Sequence, residues 1–229
     1  MVDPLRTALS WLPDAEVGSL NEHGELVYIE SLVLQDQEPG FNCSGFAKWV
    51  ADGIYGTLRD RYLSIDVLKE KHLGSRGNGF SLPLEDERDP YFGLDWTRNL
   101  ARELARLDGP VSESPEAFDV RSASPLEYIE DVGFPVMELE FALYFLARED
   151  PGTFYFASVN RSFGTEPVLR QHTHVVVLFP YFDELGEFRV SVMERNVETS
   201  LASLRQRYGD DYIHLTRAAA RPEFDPPRF

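Results

Sequence analysis

The spacing of apolar and polar positions changes once along the chain, near Pro151–Gly152, and divides it into two kinds of element. Before that point Phe46, Trp49, Val50 and Ile54 recur at helical intervals, predicting an amphipathic helix over about 44–54 with Asn42 as its side-chain cap. Further helices are predicted over Pro4–Leu12, over WTRNLARELARL behind a capping Asp95, and over Met137–Arg148. Glu25–Leu34 fits either periodicity, and QDQEPGFN after it is a turn cluster. Beyond Gly152 the strands TFYFASVN (153–160), HVVVLFPYF (174–182) and EFRVSVMERN (187–196) are predicted. DELG (183–186) turns the chain between the last two, Leu201–Tyr208 reads as a helix, and YIHLTRA (212–218) as a final strand. The second strand is almost wholly apolar, as expected of a buried one. Helices first and antiparallel strands afterwards predict an α+β fold.

The length, 229 residues, suits a single domain with a core of its own, expected over 1–217. The Pro-rich end, RPEFDPPRF, makes 218–229 an expected disordered tail. Residues 56–136 are the least regular part and hold the charge run EDERD (85–89). Lys and Arg number 22 against 39 Asp and Glu, a formal net charge of −17. Such a chain is a poor match for a nucleic-acid backbone, where phosphate neutralisation supplies most of the affinity. Anionic membrane surfaces are disfavoured for the same reason. FALYFLA (141–147) and VVVLFPYF (175–182) are the longest apolar runs, well short of the ~20 residues that cross a bilayer. The first 20 residues lack the basic start and unbroken apolar stretch of a secretory leader. A periplasmic or extracellular home is expected if a leader was removed, and a cytoplasmic one otherwise.

Cys43 is the only cysteine, which rules out an intrachain disulfide and a zinc site of several thiolates. It stands at the start of the predicted helix, where unpaired N–H groups and the helix dipole favour negative charge. That position lowers a thiol pKa and offers N–H groups to an oxyanion. A nucleophilic thiol needs a base, and His172 and His174 flank Thr173 at the mouth of the apolar strand. Alternation puts both on one side of it. A hairpin turning at Glu184–Gly186 brings back Glu194 and Asn196, 20 and 22 residues beyond His174, as partners to orient an imidazole. Gln37, six residues before Cys43, is a candidate second oxyanion donor, with Gln35 as its rival.

NCSGFAKWV resembles the nucleophile segment of the papain-like NlpC-type cell-wall hydrolases, whose helix opens with Asp-Cys-Ser-Gly; here Asn42 replaces the Asp. GTFYF, HVVVLF and a polar third member then follow in family order. ERN within VSVMERN is similar to the Glu-x-Asn of the related CHAP amidases, and the Gln six before Cys is similar to the oxyanion-hole Gln of papain. The resemblance implies a papain-like fold, with an N-terminal helix carrying Cys43 packed on a C-terminal antiparallel sheet, and a cysteine peptidase or amidase acting through a thioester. Cys43 would be the nucleophile and His174, whose HVVV matches the family's His-Val step, the base. Glu194 or Asn196 would orient the imidazole, and Gln37 with the N–H of Cys43 would bind the oxyanion. Ser44, His172 and Trp96 would touch substrate. Residues 56–136 exceed the family core, so they are expected as an insertion, a lid or substrate wall with Tyr91, Phe92 and Trp96 along a groove. The implied substrate is an amide in peptidoglycan or its peptide fragments, attacked by a monomer without metal or cofactor. Two other readings stand beside it: a metal-dependent enzyme using His172, His174 and Glu194, and a non-catalytic binding module on the same fold.

Overall fold

The computed structural model describes residues 1–72, 89–163 and 169–228. The chain begins with helix α1 (Val2–Leu9) and a two-stranded ribbon of β1 (Ser19–Leu20) and β2 (Leu26–Val27). Helices α2 (Cys43–Arg59), α3 (Ile65–Leu68) and α4 (Phe92–Ala105) follow. Next come the short strand β3 (Phe134–Pro135), helix α5 (Leu139–Glu149) and the long strands β4 (Thr153–Phe163) and β5 (Leu169–Phe182). The chain ends through β6 (Phe188–Glu194), β7 (Val197–Thr199), α6 (Leu201–Tyr208) and β8 (Tyr212–Ala219). The larger sheet is antiparallel, in the order β3-β8-β4-β5-β6-β7. This is a mixed α+β fold, and none of its described helices is long and apolar enough to cross a membrane.

The sheet is covered on both faces, which explains the unbroken apolar run of β5. One face buries Phe154, Phe156, Val175, Val177 and Phe179 with Phe46, Trp49 and Ile54 of α2 and Trp96 and Leu100 of α4. The other buries Tyr155, Ala157, Val176, Leu178 and Val192 under Leu143 and Leu146 of α5 and Leu204 of α6. Each such side chain contributes about 1.5–3 kcal/mol on leaving water.

Several boundaries depart from the sequence pattern. Helix α2 runs beyond the expected Ile54 to Arg59. Gly53 and Gly56 lie within it where other residues come close: a Cβ on Gly53 would fall 2.5 Å from the Phe224 ring. Helix α4 starts before Asp95, which is a buried first-turn residue and not the cap. The carboxylate of Asp89 takes the N–H of Tyr91 instead, at 2.9 Å, and Pro90 sets the entry.

Two parts of the chain pack more closely than their patterns predict. The described part of the 56–136 stretch enters the core. Helix α4 lies beside α2, and Trp96 and Leu100, both fully buried, share one core with the sheet. The end of the chain, expected to be disordered, is tied to the back of α2 as far as Pro227. The Trp49 indole donates to the Pro227 carbonyl at 3.0 Å, Asp225 N–H to Gly53 at 3.0 Å and Thr57 Oγ1 to Glu223 at 3.2 Å. Tryptophan needs an acceptor when buried, and the tail carries it.

If the tail braces α2, Phe224→Ala should lower stability by about 1–3 kcal/mol. Urea unfolding would read this as a lower midpoint; a midpoint equal to wild type would mean that the tail rests on the helix without stabilising it.

Candidate active site

Cys43 is the first residue of α2. Asn42 holds an extended backbone and its side chain accepts the N–H of Gly45 at 2.7 Å, so it caps the helix as its position predicts. The first helical bond is Phe46 N–H to Asn42, at 2.8 Å. The N–H groups of Cys43 and Ser44 therefore have no intrahelical acceptor. Three contacts pin this helix start. Asn42 N–H donates to Gly18 at 3.1 Å, and the Trp96 indole donates to the Ser44 carbonyl at 2.9 Å. Gly45 lies so close to the 18–19 backbone that a Cβ would come within 1.8 Å of the Gly18 oxygen. Glycine in the Cys-Ser-Gly step is thus a packing requirement.

The histidines are sorted by an irregularity in the β4–β5 ladder. Val159 pairs with His174 and Asn160 with His172, so Thr173 is an extra residue. Val159 and Asn160 are adjacent and face opposite sides of the sheet. Their partners do so too, and the expectation that both histidines lie on one side is overturned by a one-residue bulge. His172 turns toward α4. Its ring bonds to Ser158 at 2.9 Å, Asn160 at 3.0 Å and the Asp131 carbonyl at 2.9 Å. Around it sits a buried polar cluster that the periodicity did not flag. Arg98 forks onto Asp119 at 2.9 and 2.6 Å and reaches Asp131 at 2.8 Å, with His214 3.5 Å from Asp119. His172 is part of that scaffold.

His174 faces the thiol. It lies close enough to the Cys43 side chain for each group to shift the pKa of the other. His174 Nε2 lies 2.7 Å from Glu194 Oε2, which leaves Nδ1 for the sulfur. The hairpin brings Glu194 here as its equal arms predict: Val177 pairs with Met193 and Leu178 with Val192. Extending that register puts Glu194 diagonal to His174 on one face. Asn196 is not its equivalent. Strand β6 ends at Glu194, Arg195 takes a left-handed φ of 49°, and Asn196 turns away to donate to the Leu12 carbonyl at 3.4 Å. Of the two, it is Glu194 that meets the His174 ring.

The remaining expected residues divide. Ser44 is buried beside Cys43 and contributes to lowering its pKa. Trp96 is fully buried with its indole nitrogen engaged, so it is a core residue and not a groove wall. Gln35 is taken up by its own loop, bonding to the Val27 and Gly40 carbonyls and to the Gly40 N–H. Gln37 is exposed in an open cleft shared with Asp14, Glu16, Tyr28 and Arg195, the neighbour of Glu194. Three residues were missed from the sequence. Thr199 and Arg207 both donate to Glu194, and the Tyr208 ring lies 5.9 Å from that of His174. The signal for Arg207 and Tyr208 was their place on α6, which returns to the sheet directly after β7.

Charge follows this geometry. Burial opposes ionisation of Cys43, but the bond and charge of His174, the N–H of Val175 and the Ser44 hydroxyl outweigh it, and the thiol pKa falls. Burial also opposes the imidazolium, yet Cys43 and Glu194 raise His174 to about 9. Glu194 is held at about 2 against its own burial by His174, Arg207 and Thr199. The two shifts run in the same sense, toward a thiolate beside an imidazolium. A thiolate next to unpaired N–H groups can attack a carbonyl carbon and hold the resulting oxyanion, and the imidazolium can supply a proton. His172 and His174, on opposite faces, cannot share an ion with Glu194. Among the described residues no group of three or more His, Cys, Asp or Glu is placed to hold one.

No family model, curated protein or solved structure matches the chain.

The shifted groups set a pH dependence. Raised from 6.5 to about 9, His174 contributes stability that is complete below 6.5 and lost as pH rises through 9. Lowered from 4.5 to about 2, Glu194 contributes stability that is complete above 4.5 and lost as pH falls through 2. The stability difference between wild type and Glu194→Gln should therefore be largest between pH 4.5 and 6.5. A difference in unfolding midpoint that stays flat from pH 3 to 10 would contradict the pairing.

Proposed function

We propose that this chain is a papain-like cysteine hydrolase of amide bonds, similar in layout to the NlpC-type and CHAP amidases. The observation that carries this reading is the line Cys43–His174–Glu194, with the thiol on the first turn of a buried helix and the carboxylate at the far side of the imidazole. The order of parts along the chain supports it as well: helix-borne Cys, strand-borne His, then the orienting residue on the next strand.

In this reading the Cys43 thiolate attacks the amide carbonyl, forming a C–S bond while the carbonyl oxygen takes the negative charge. The N–H of Cys43 holds that oxyanion, and Gln37 is the candidate second donor from the cleft. As the tetrahedral intermediate collapses, the C–N bond breaks and the leaving amine takes its proton from the His174 imidazolium. A thioester remains. His174, now neutral, draws a proton from water as it adds to the thioester. The C–S bond breaks, the carboxylic acid leaves, and the thiolate–imidazolium pair is restored. Glu194 keeps the ring aligned through both halves.

The substrate proposed is an amide of peptidoglycan, either within the stem peptide or at the sugar–peptide link. A net charge of −17 offers no long-range attraction to an anionic wall. Released peptide fragments therefore suit the chain better than intact wall.

Incubation of wild type and Cys43→Ala with peptidoglycan and with soluble muropeptides, followed by mass spectrometry, tests the reading. Wild type should release a new amine and carboxylate pair, and the variant should be slower by about 10⁴-fold or more. Equal product from both proteins would sink the proposal.

A further inference from the structure

We infer that Arg207 is a positioning residue for the site, fixing the plane of the Glu194 carboxylate and offsetting its charge so that His174 can give up its proton. The inference rests on the cysteine-hydrolase reading above. Glu194 is only 5% exposed and belongs to no helix terminus, so its charge needs partners from the protein. It has two cationic ones. His174 approaches Oε2, and Arg207 spans both oxygens, with Nη1 at 3.0 Å from Oε2 and Nη2 on Oε1. Thr199 Oγ1 completes Oε1. A two-point fork leaves the carboxylate no freedom to rotate away from the ring, which a single bond from lysine would permit.

Arg207 is itself held. Its Nε donates to the Ser203 carbonyl at 3.3 Å, and its guanidinium lies 5.1 Å from the centre of the Tyr208 ring. Helix α6 is anchored at its start by the Ser200 hydroxyl, which accepts the N–H of Ser203 at 3.1 Å. Consecutive residues of one short helix thus meet both halves of the pair: Arg207 on the carboxylate, Tyr208 beside the imidazole at 5.9 Å. The charged and titratable groups around His174 and Glu194 are Cys43 from α2, Arg207 and Tyr208 from α6, and, behind Tyr208, Arg161 from β4. Arg161 lies 5.8 Å from the Tyr208 ring and 3.4 Å from Asp211, its own counter-charge. Besides His174, Arg207 is the cation bound directly to the carboxylate.

A carboxylate that faces only an imidazolium would hold its proton too firmly. With Arg207 in place, part of the negative charge is already matched. Removing Arg207 should make the imidazolium harder to deprotonate, and it also takes a positive charge away from the thiolate. Both effects move titration upward in pH.

The test is the rate of Cys43 alkylation by iodoacetamide as a function of pH in wild type, Arg207→Ala and Arg207→Lys, with circular dichroism confirming the fold of each. Wild type should show a reactive thiolate below the pH at which free cysteine becomes reactive. In Arg207→Ala both limbs of the profile should move up by about 0.5–1 pH unit. In Arg207→Lys, which keeps the charge but not the two-point fork, they should recover only about half of that shift. Loss of packing alone changes stability without moving the limbs. An Arg207→Ala profile that superimposes on wild type overturns the inference, as does a lysine variant that behaves like alanine. A wild-type thiol no more reactive than free cysteine would instead sink the cysteine-hydrolase reading beneath it.

Discussion

One extra residue in a β-ladder is the constraint on which the site depends. Thr173 bulges from β5 where that strand pairs with β4, and the two histidines beside it go to opposite faces. Without the bulge, His172 and His174 would both enter one layer and compete for the same neighbours. With it, His172 joins Ser158, Asn160 and Asp131 in the polar interior beneath α4, while His174 meets Cys43 and Glu194. The long apolar run that follows, Val175–Phe179, is buried on both sides and holds the strand in register. A one-residue slip there would exchange the two layers throughout the strand.

Helix and sheet meet at the thiol through backbone more than through side chains. The first turn of α2 rests on Gly18, and Gly45 permits that approach. Trp96 ties the same turn to α4. The thiol is therefore aimed by a rigid helix, and the imidazole by a strand locked between two cores. Neither depends on a surface loop for its aim. The buried Arg98–Asp119–Asp131 arrangement has a comparable part on the other side of the strand. It supplies partners to polar groups that apolar packing could not accommodate, and a guanidinium with no exposure is tolerable only because two carboxylates face it.

Much of this was legible in the chain. The helical spacing of Phe46, Trp49, Val50 and Ile54, the cap at Asn42 and the strands on either side of Asp183–Gly186 all have their counterparts in the structure, because local periodicity reports which face is buried. The equal arms of that hairpin placed Glu194 near His174 for the same reason. What escaped depends on contacts that leave no period. A bulge adds one residue to a strand whose apolar pattern looks continuous. Asn196 follows a left-handed Arg195, and nothing in the composition of ERN marks that turn. Trp96 looked available to a groove because its burial comes from α2, some fifty positions earlier. Arg207 reads as an ordinary solvated helix residue until β7 and α6 are folded back on the sheet. The tail looked disordered because its prolines forbid regular structure, but irregular backbone can still dock when buried side chains such as Trp49 need acceptors.

That docking has a consequence for the order of assembly during synthesis. The indole of Trp49 and the carbonyl of Pro227 are 178 positions apart. The helix that carries the thiol is made well before the segment that closes its back. The sheet that presents the imidazole is also made after that helix. Until then Cys43 stands on an unbraced helix without His174 beside it, and the site is assembled only as the molecule closes.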